Sequence, residues 1–90
     1  MNHNVYDTQI IYHDGSQMYF DVLVPTPQKE HHANQFALKW LASINIDIND
    51  IALHKSHFCH NSITSPAIEE VITQQGYAII KSKGCPGYYL

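Results

Sequence analysis

The chain has 90 residues, of which 44% are hydrophobic and 14% are charged, and its formal net charge is −3. This length predicts one domain, and the hydrophobic fraction is enough for one core and excludes a disordered chain. The five basic residues are scattered lysines without any arginine, and no apolar run approaches the ~20 residues of a membrane span, so we expect neither a nucleic-acid partner nor a membrane partner.

A β-hairpin is predicted near the start of the chain. Residues 4–12 and 17–24 are rich in β-branched and aromatic side chains, and Asp14-Gly15 between them is typical of a two-residue turn, because both positions tolerate a positive φ. Alternation along the second strand places four apolar side chains on one face, which is the expected core face: Met18, Phe20, Val22 and Val24.

The same turn sets the expected register of the hairpin. With Asp14-Gly15 at its centre, Asp7 lies opposite Val22 on the core side, while Asp21 lies on the other face. A carboxylate on the core side needs a hydrogen-bond partner, so we expect each aspartate to bond a tyrosine, a threonine or a backbone N–H. This register argues against a hydrolase built on paired carboxylates.

A helix over roughly 27–44 is predicted next. Thr26 is suited to the N-cap and Pro27 to the first helical position. Asn45 is suited to the left-handed conformation in which many helices end. The helix carries a stripe of apolar side chains at helical spacing, which we expect to pack on the sheet: Ala33, Phe36, Ala37, Trp40, Leu41 and Ile44.

The second half of the chain predicts two more strands and one more helix. A third strand over about 51–55 is followed by a histidine-rich run and a loop at 61–64. Ser65-Pro66 repeats the signal of a cap followed by a proline, and Gly76 ends the helix. The last strand covers residues 77–81.

Together these elements predict a single α+β domain over residues 1–90, in the order ββαβαβ. We expect a mostly antiparallel sheet with the two helices packed on it. The tail over 84–90 is expected to be flexible. Its end, Tyr88-Tyr89-Leu90, is an aromatic patch suited to pairing with another copy, so we also expect a homo-oligomer.

The densest group of candidate metal ligands is the run His54-Lys55-Ser56-His57-Phe58-Cys59-His60, which holds three of the seven histidines and one of the two cysteines. Zinc takes four N or S donors in a tetrahedron. A zinc-type site is predicted from Cys59, His60 and His57, with the distant Cys85 as the closing ligand. The spacing contains no Cys-x-x-Cys pair and no two-plus-two arrangement, so other interpretations stay open.

Two other interpretations of this run stand beside the metal site. In the first, Phe58 and Cys59 fill the core, and the histidines are surface polar residues. In the second, Cys59 with Cys85 carries redox or nucleophilic chemistry, and a neighbouring histidine lowers the pKa of the thiol. The amino terminus lacks the basic and apolar stretches of a secretory signal, so we expect the cytoplasm, where cysteines stay reduced.

Short segments in the same order over nearly the whole chain carry a resemblance to a known family. They are Val5-Tyr6-Asp7-Thr8, Asp14-Gly15 with Met18-Tyr19-Phe20-Asp21-Val22, Trp40-Leu41, Phe58-Cys59-His60, Gly76-Tyr77 and Gly84-Cys85. On these residues the chain resembles the short bacterial proteins known as the domain of unknown function DUF2024. The resemblance implies a compact α+β fold and a bacterial cytosolic setting. It implies no catalytic residues, since the family has no established activity.

The resemblance also implies a Cys-x-Phe-Cys-His run where this chain has Ser56-His57-Phe58-Cys59-His60. Ser56 therefore stands in place of a thiol, which counts against a thiolate-rich metal site and against a dithiol redox pair. The leading hypothesis is a small non-enzymatic cytosolic domain that binds a partner or itself. A metal-binding module is the second hypothesis, and a thiol-dependent enzyme or redox protein is the third.

Overall fold

The computed structural model describes residues 2–26, 28–63 and 65–81. The described elements are β1 (Asn2–Tyr12), β2 (Gln17–Pro25), α1 (Glu30–Ser43), a short 3-10 turn (Ile48–Asp50), β3 (Ile51–Ile63), α2 (Pro66–Gln75) and β4 (Ala78–Lys81). Their order confirms the predicted ββαβαβ arrangement and the α+β class. The predictions for Pro27 and for the tail over 84–90 concern residues outside the described ranges.

One sheet joins these strands in the spatial order β3-β1-β2-β4. Each neighbouring pair is antiparallel, which confirms the expected kind of sheet. One edge strand, β3, has 13 residues, and the part of the other, β4, that the structure describes has 4.

The hairpin between β1 and β2 has a register one residue away from the predicted one. The carbonyl of Tyr12 accepts from the N–H of Gly15 at 3.0 Å, and the N–H of Tyr12 donates to the carbonyl of Ser16 at 2.9 Å. Gly15 has a φ of +89°, the left-handed conformation that closes a three-residue hairpin loop. The prediction of a two-residue turn is therefore wrong, and the extra loop residue brings Asp7 opposite Asp21.

Helix α1 begins later than predicted and ends as predicted. Lys29 is its N-cap, and the backbone N–H of Lys29 donates to Nδ1 of His32 at 3.0 Å, a reciprocal bond of the capping-box kind. The helix therefore starts at Glu30 and not directly after Thr26. At the other end Asn45 has a φ of +64°, which confirms its left-handed conformation.

The main core lies between α1 and the sheet face that carries Thr8 and Ile10 of β1. The predicted core face of β2 is confirmed, because Met18, Phe20, Val22 and Val24 are all buried there. On α1 the buried positions of the predicted stripe are Ala33, Ala37 and Leu41. Two ring pairs, Phe20 with Trp40 and Phe36 with Tyr77, each have centroids 4.7 Å apart and extend this contact.

Helix α2 packs on the opposite face of the sheet and covers one end of it. Ile72, with Ile68 beside it, packs against a row of apolar side chains formed by Val5, Leu23 and Ala78. A second, smaller core results. The two helices therefore lie on opposite faces of the sheet, and part of the face under α2 remains without a helix.

The signals predicted for α2 are confirmed at both ends. The Oγ of Ser65 accepts a hydrogen bond from the N–H of Ile68 at 3.4 Å, and Pro66 is the first helical residue. Gly76 has a φ of +92° and ends the helix.

Strand β3 is longer than predicted and contains the whole histidine-rich run. The loop expected at 61–64 is strand as far as Ile63, and Thr64 lies outside the described residues. Strand β1 pairs along nearly its full length with β3, and this pairing keeps the polar run extended. Tyr6 pairs with Phe58 and Val5 pairs with His60, so Cys59 is the extra residue of a β-bulge.

Candidate functional site

The sheet face under α2 exposes a polar surface beyond the end of that helix. Residues paired across antiparallel strands face the same side, so the side chains form rows. One row joins His57, Asp7 and Asp21, and the next joins Lys55, Gln9 and Tyr19. These six residues line a cavity of about 390 Å³. We call this surface the open sheet face.

Asp7 and Asp21 lie directly opposite each other on the open sheet face. The prediction that they lie on opposite faces is wrong, because a register shift of one residue turns every side chain of a strand to the other face. Asp7 is exposed and Asp21 is half-buried. The neighbour of the Asp21 carboxyl is therefore the carboxyl of Asp7, where a partner tyrosine, threonine or backbone N–H was expected.

This pair has unusual electrostatics. Desolvation, followed by the hydrogen bond to Asp7 and repulsion from its charge, raises the pKa of Asp21 to about 7. Burial and a neighbouring like charge both disfavour the carboxylate form of Asp21. In its protonated form the Asp21 hydroxyl can donate a hydrogen bond to the Asp7 carboxylate.

Cys59 lies at the bulge of β3, beside the open sheet face. Its Sγ is 3.0 Å from Nδ1 of His60. The thiol is exposed, and desolvation together with the nearby Asp7 and Asp21 carboxylates raises its pKa. A raised pKa leaves little thiolate at neutral pH, which disfavours the nucleophilic or redox role considered for this thiol.

The interpretation in which Phe58 and Cys59 fill the core is also wrong. Cys59 is exposed, and 52% of the Phe58 side chain is exposed. Phe58 lies on the face that carries Tyr6, and the two rings meet edge to face with centroids 5.7 Å apart. Because β3 is an edge strand, this contact with β1 leaves about half of the ring exposed.

The predicted metal donors are only partly brought together. Cys59 and His60 are in contact, whereas His57 lies beside Asp7 and His54 lies on the other face, opposite Ile10. Within the described ranges no group of three or more His, Cys, Asp or Glu side chains is arranged to hold a metal ion. Cys85 lies outside those ranges, so the zinc-type site from Cys59, His60, His57 and Cys85 stays a prediction.

Ser56, the position at which the resembling family has a thiol, points away from the open sheet face. It is buried, and its Oγ lies 2.8 Å from Oγ1 of Thr8 in the main core. Cys59 lies near Asp7 and Asp21 on the other face. A thiol at position 56 would therefore not meet Cys59 across this strand.

The outer edge of β3 is a second exposed surface. One side of this strand pairs with β1, and the other side pairs with no strand in the part of the chain that the structure describes. The residues of the strand include one lysine and three histidines, without proline, glycine, aspartate or glutamate. Two large apolar side chains are exposed along it, Leu53 at 43% and Phe58 at 52%.

Membrane insertion by a helix finds no support in the described residues, where neither helix has the length and the apolar character that a crossing requires.

Comparison with known proteins identifies related sequences and a related fold. The family model for the domain of unknown function DUF2024 matches residues 1–82. The NMR structure of protein NE1680 from Nitrosomonas europaea is similar to this chain, with 35% sequence identity and a TM-score of 0.79 over 96% of this chain and 100% of that one. Among curated proteins none matches this sequence.

Proposed function

The chain belongs to the DUF2024 family, and we propose that it is a small non-enzymatic binding domain that associates with a second copy of itself through the outer edge of β3. A bacterial and cytoplasmic setting is part of this proposal. The observation that carries it is the long β3 edge with its two exposed apolar side chains.

The two edge strands are compared by their length and by their charged residues. Natural sheets protect exposed edges by keeping the strand short or by adding charged residues and prolines. Within the described residues strand β4 has four residues, of which the last is Lys81. Strand β3 has 13 residues with Lys55 as its one lysine and without proline, and its outward-facing backbone N–H and C=O groups pair with no strand in the described residues.

The bulges in β3 limit where pairing occurs. The register with β1 shifts at two places, between Ile51 and Leu53 and between Phe58 and His60. Between these shifts the segment from Leu53 to Phe58 pairs regularly with β1. Its two end residues are the exposed apolar side chains, Phe58 on the face of α1 and Leu53 on the opposite face, so pairing along this segment would remove part of each from water.

A second copy of the chain is the occupant that fits this edge best. Antiparallel pairing of two identical edges about a twofold axis is isologous, so it covers both long edges at once and forms a closed dimer. The segment carries no acidic residue that would favour a basic partner strand, and its one charge is that of Lys55.

Sedimentation velocity over a range of protein concentrations tests this proposal. The wild-type chain is expected to be a monomer at low concentration and a dimer at high concentration. Leu53→Lys and Phe58→Lys should each weaken the dimer roughly tenfold or more, because each places a charge at the pairing edge.

The matched control is Val71→Lys, since Val71 is an apolar residue of α2 with 41% exposure, similar to that of Leu53. This variant should dimerise like the wild type. Thermal unfolding of each variant shows that it is folded. A wild-type chain that stays monomeric at all concentrations would refute the proposal, as would equal weakening by all three substitutions.

A further inference from the structure

Twofold symmetry restricts how two copies of β3 can align in the edge dimer. In an antiparallel pair, residues directly opposite each other face the same side of the sheet. The twofold axis that relates two antiparallel edges stands perpendicular to the sheet, so the corresponding faces of the two copies lie on the same side. Each residue of β3 therefore lies opposite a residue of its own face, and the axis passes between one residue and its own copy.

The six residues between the two bulges of β3 divide evenly between the faces. Three lie on the open sheet face: Leu53, Lys55 and His57. The other three lie on the face of α1: His54, Ser56 and Phe58. A bulge bends a strand and interrupts its pairing, so an alignment that avoids both bulges has its centre near the middle of the segment.

Two alignments pair five residues of this segment with the same five of the second copy. With the axis at Lys55, residues 53–57 pair with residues 57–53 of the second copy. With the axis at Ser56, residues 54–58 pair with residues 58–54 of the second copy. An axis at His54 or at His57 leaves only three such pairs within the segment.

The charge of Lys55 distinguishes these two alignments. With the axis at Lys55, the two ammonium groups lie directly opposite each other, which destabilises an antiparallel pair. With the axis at Ser56, Lys55 lies opposite His57 of the second copy, whose imidazole can accept a hydrogen bond from the ammonium group. Symmetry forms this contact twice in each dimer.

The exposed ring of Phe58 favours the same alignment. With the axis at Ser56, Phe58 lies opposite His54 of the second copy, so a ring that is 52% exposed packs on an imidazole. With the axis at Lys55, Phe58 lies opposite Ala52, the extra residue of the other bulge. That alignment covers Leu53 in place of Phe58, although Phe58 is the larger and the more exposed of the two.

We propose that the two copies pair with Ser56 at the twofold axis, and that Lys55 of each copy thereby completes the open sheet face of the other. This inference rests on the proposed function, because it requires the edge dimer. The second copy adds a lysine to the row that holds the two aspartates. The row then continues across the axis in this order: Asp21, Asp7, His57, and Lys55, Gln9 and Tyr19 of the second copy.

The alignment also joins the two cavities. Lys55 and His57 line the cavity of each copy on the side of the β3 edge. Because the same two residues meet their counterparts across the axis, the two open sheet faces become one continuous polar surface in the dimer.

Disulfide cross-linking between single-cysteine variants tests this alignment. Cys59 and Cys85 are first replaced by serine, and sedimentation velocity shows whether this background dimerises. An equal mixture of Lys55→Cys and His57→Cys should form a covalent dimer on oxidation with diamide, since directly opposite Cβ atoms lie about 4.5–5.5 Å apart. Either variant alone should give roughly fivefold less, because diagonal neighbours lie about 7–8 Å apart.

The matched control is Gln9→Cys mixed with His57→Cys, since Gln9 lies in the row of Lys55 but one strand further from the edge. This mixture should give no more covalent dimer than a single variant. Efficient cross-linking of Lys55→Cys alone or of His57→Cys alone would overturn the alignment and leave the edge dimer standing. A dimer in sedimentation without any cross-link would do the same, whereas a wild-type chain that stays monomeric would refute the proposed function itself.

NMR of the unsubstituted chain gives a second readout. In an equal mixture of carbon-13-labelled and unlabelled copies, isotope-filtered spectra select contacts between the two chains. The ring of Phe58 should contact the ring of His54 of the second copy, a contact that one chain cannot make because the two residues lie about 13 Å apart along the strand. Contacts of Phe58 with Ala52 of the second copy would contradict the alignment.

Discussion

At the scale of single residues, the polar groups of β3 divide between the two faces of the sheet. Ser56 lies in the main core and bonds Thr8, while His57 lies on the open sheet face beside Asp7. The side chains of the histidine-rich run therefore lie on two opposite faces of the sheet and do not form one donor cluster. The sequence alone presents these residues side by side, and only the alternation of a strand separates them.

The buried hydrogen bond between Ser56 and Thr8 is expected to stabilise the contact of β1 with β3. Ser56→Ala should lower the free energy of unfolding by about 1 kcal/mol, since the Thr8 hydroxyl then loses its partner in the core. The double variant Thr8→Val with Ser56→Ala should cost less than the sum of the two single substitutions, because neither hydroxyl remains unpaired. Urea unfolding measures all three, and strict additivity would contradict the assignment.

His54 is expected to make the protein less stable in acid. Burial lowers its pKa from the ordinary value of 6.5, and its buried Nε2 has no hydrogen-bond partner among the described atoms. As the pH falls below about 6.5 the unfolded state takes up a proton before the folded state does, so the free energy of unfolding declines.

The variant His54→Leu isolates this effect of acid. As the pH falls from about 7 to about 5, the free energy of unfolding of the wild type should decrease more than that of His54→Leu, which has no imidazole to protonate. The half-buried Asp21, whose pKa is also shifted, is present in both proteins, so its effect cancels in the difference. A difference that does not change with pH would contradict the assignment.

At the scale of secondary-structure elements, the loop of the hairpin decides what the open sheet face contains. A three-residue loop brings Asp7 opposite Asp21, whereas a two-residue loop would separate them. Asp14-Gly15 fits either length, because Gly15 serves as the second residue of one loop or as the left-handed last residue of the other. The sequence therefore predicts the hairpin but not its register, and the candidate site depends on the register.

In other elements, too, some features are predicted by local sequence and others are not. Strong local signals, such as Ser65-Pro66 and Gly76 around α2, place both ends of that helix correctly. The prediction of Thr26 as the N-cap of α1 is wrong. The N-cap is Lys29, whose backbone N–H donates to Nδ1 of His32. The length of β3 depends on its pairing with β1, a long-range contact that local sequence does not encode.

Gly15 is expected to tolerate asparagine better than alanine. Gly15→Ala should cost about 1 kcal/mol, since a side chain is strained at a φ of +89°. The space around a new Cβ is empty to 4 Å, so the cost comes from the backbone and not from a clash. Gly15→Asn should cost clearly less, because asparagine adopts the left-handed region more readily. Chemical denaturation of the two variants measures the costs, and equal costs would contradict a left-handed Gly15.

At the scale of the whole molecule, the two helices leave two surfaces of the sheet without cover in the described part of the chain. One is the open sheet face with its paired carboxyl groups, and the other is the outer edge of β3. The pattern of apolar residues predicts the α+β class, because it shows which side of each helix and strand is buried. It does not predict these surfaces, which arise from where α2 ends and from which strand lies at the edge.

Amide hydrogen exchange along β3, measured at low and high protein concentration, tests the proposed self-association most directly. In an antiparallel dimer, alternate backbone N–H groups between Leu53 and Phe58 donate to the second copy. Protection of those alternate amides should therefore rise with concentration, while the amides of β4 and α2 stay unchanged. Exchange along β3 that is the same at every concentration would contradict pairing through this edge.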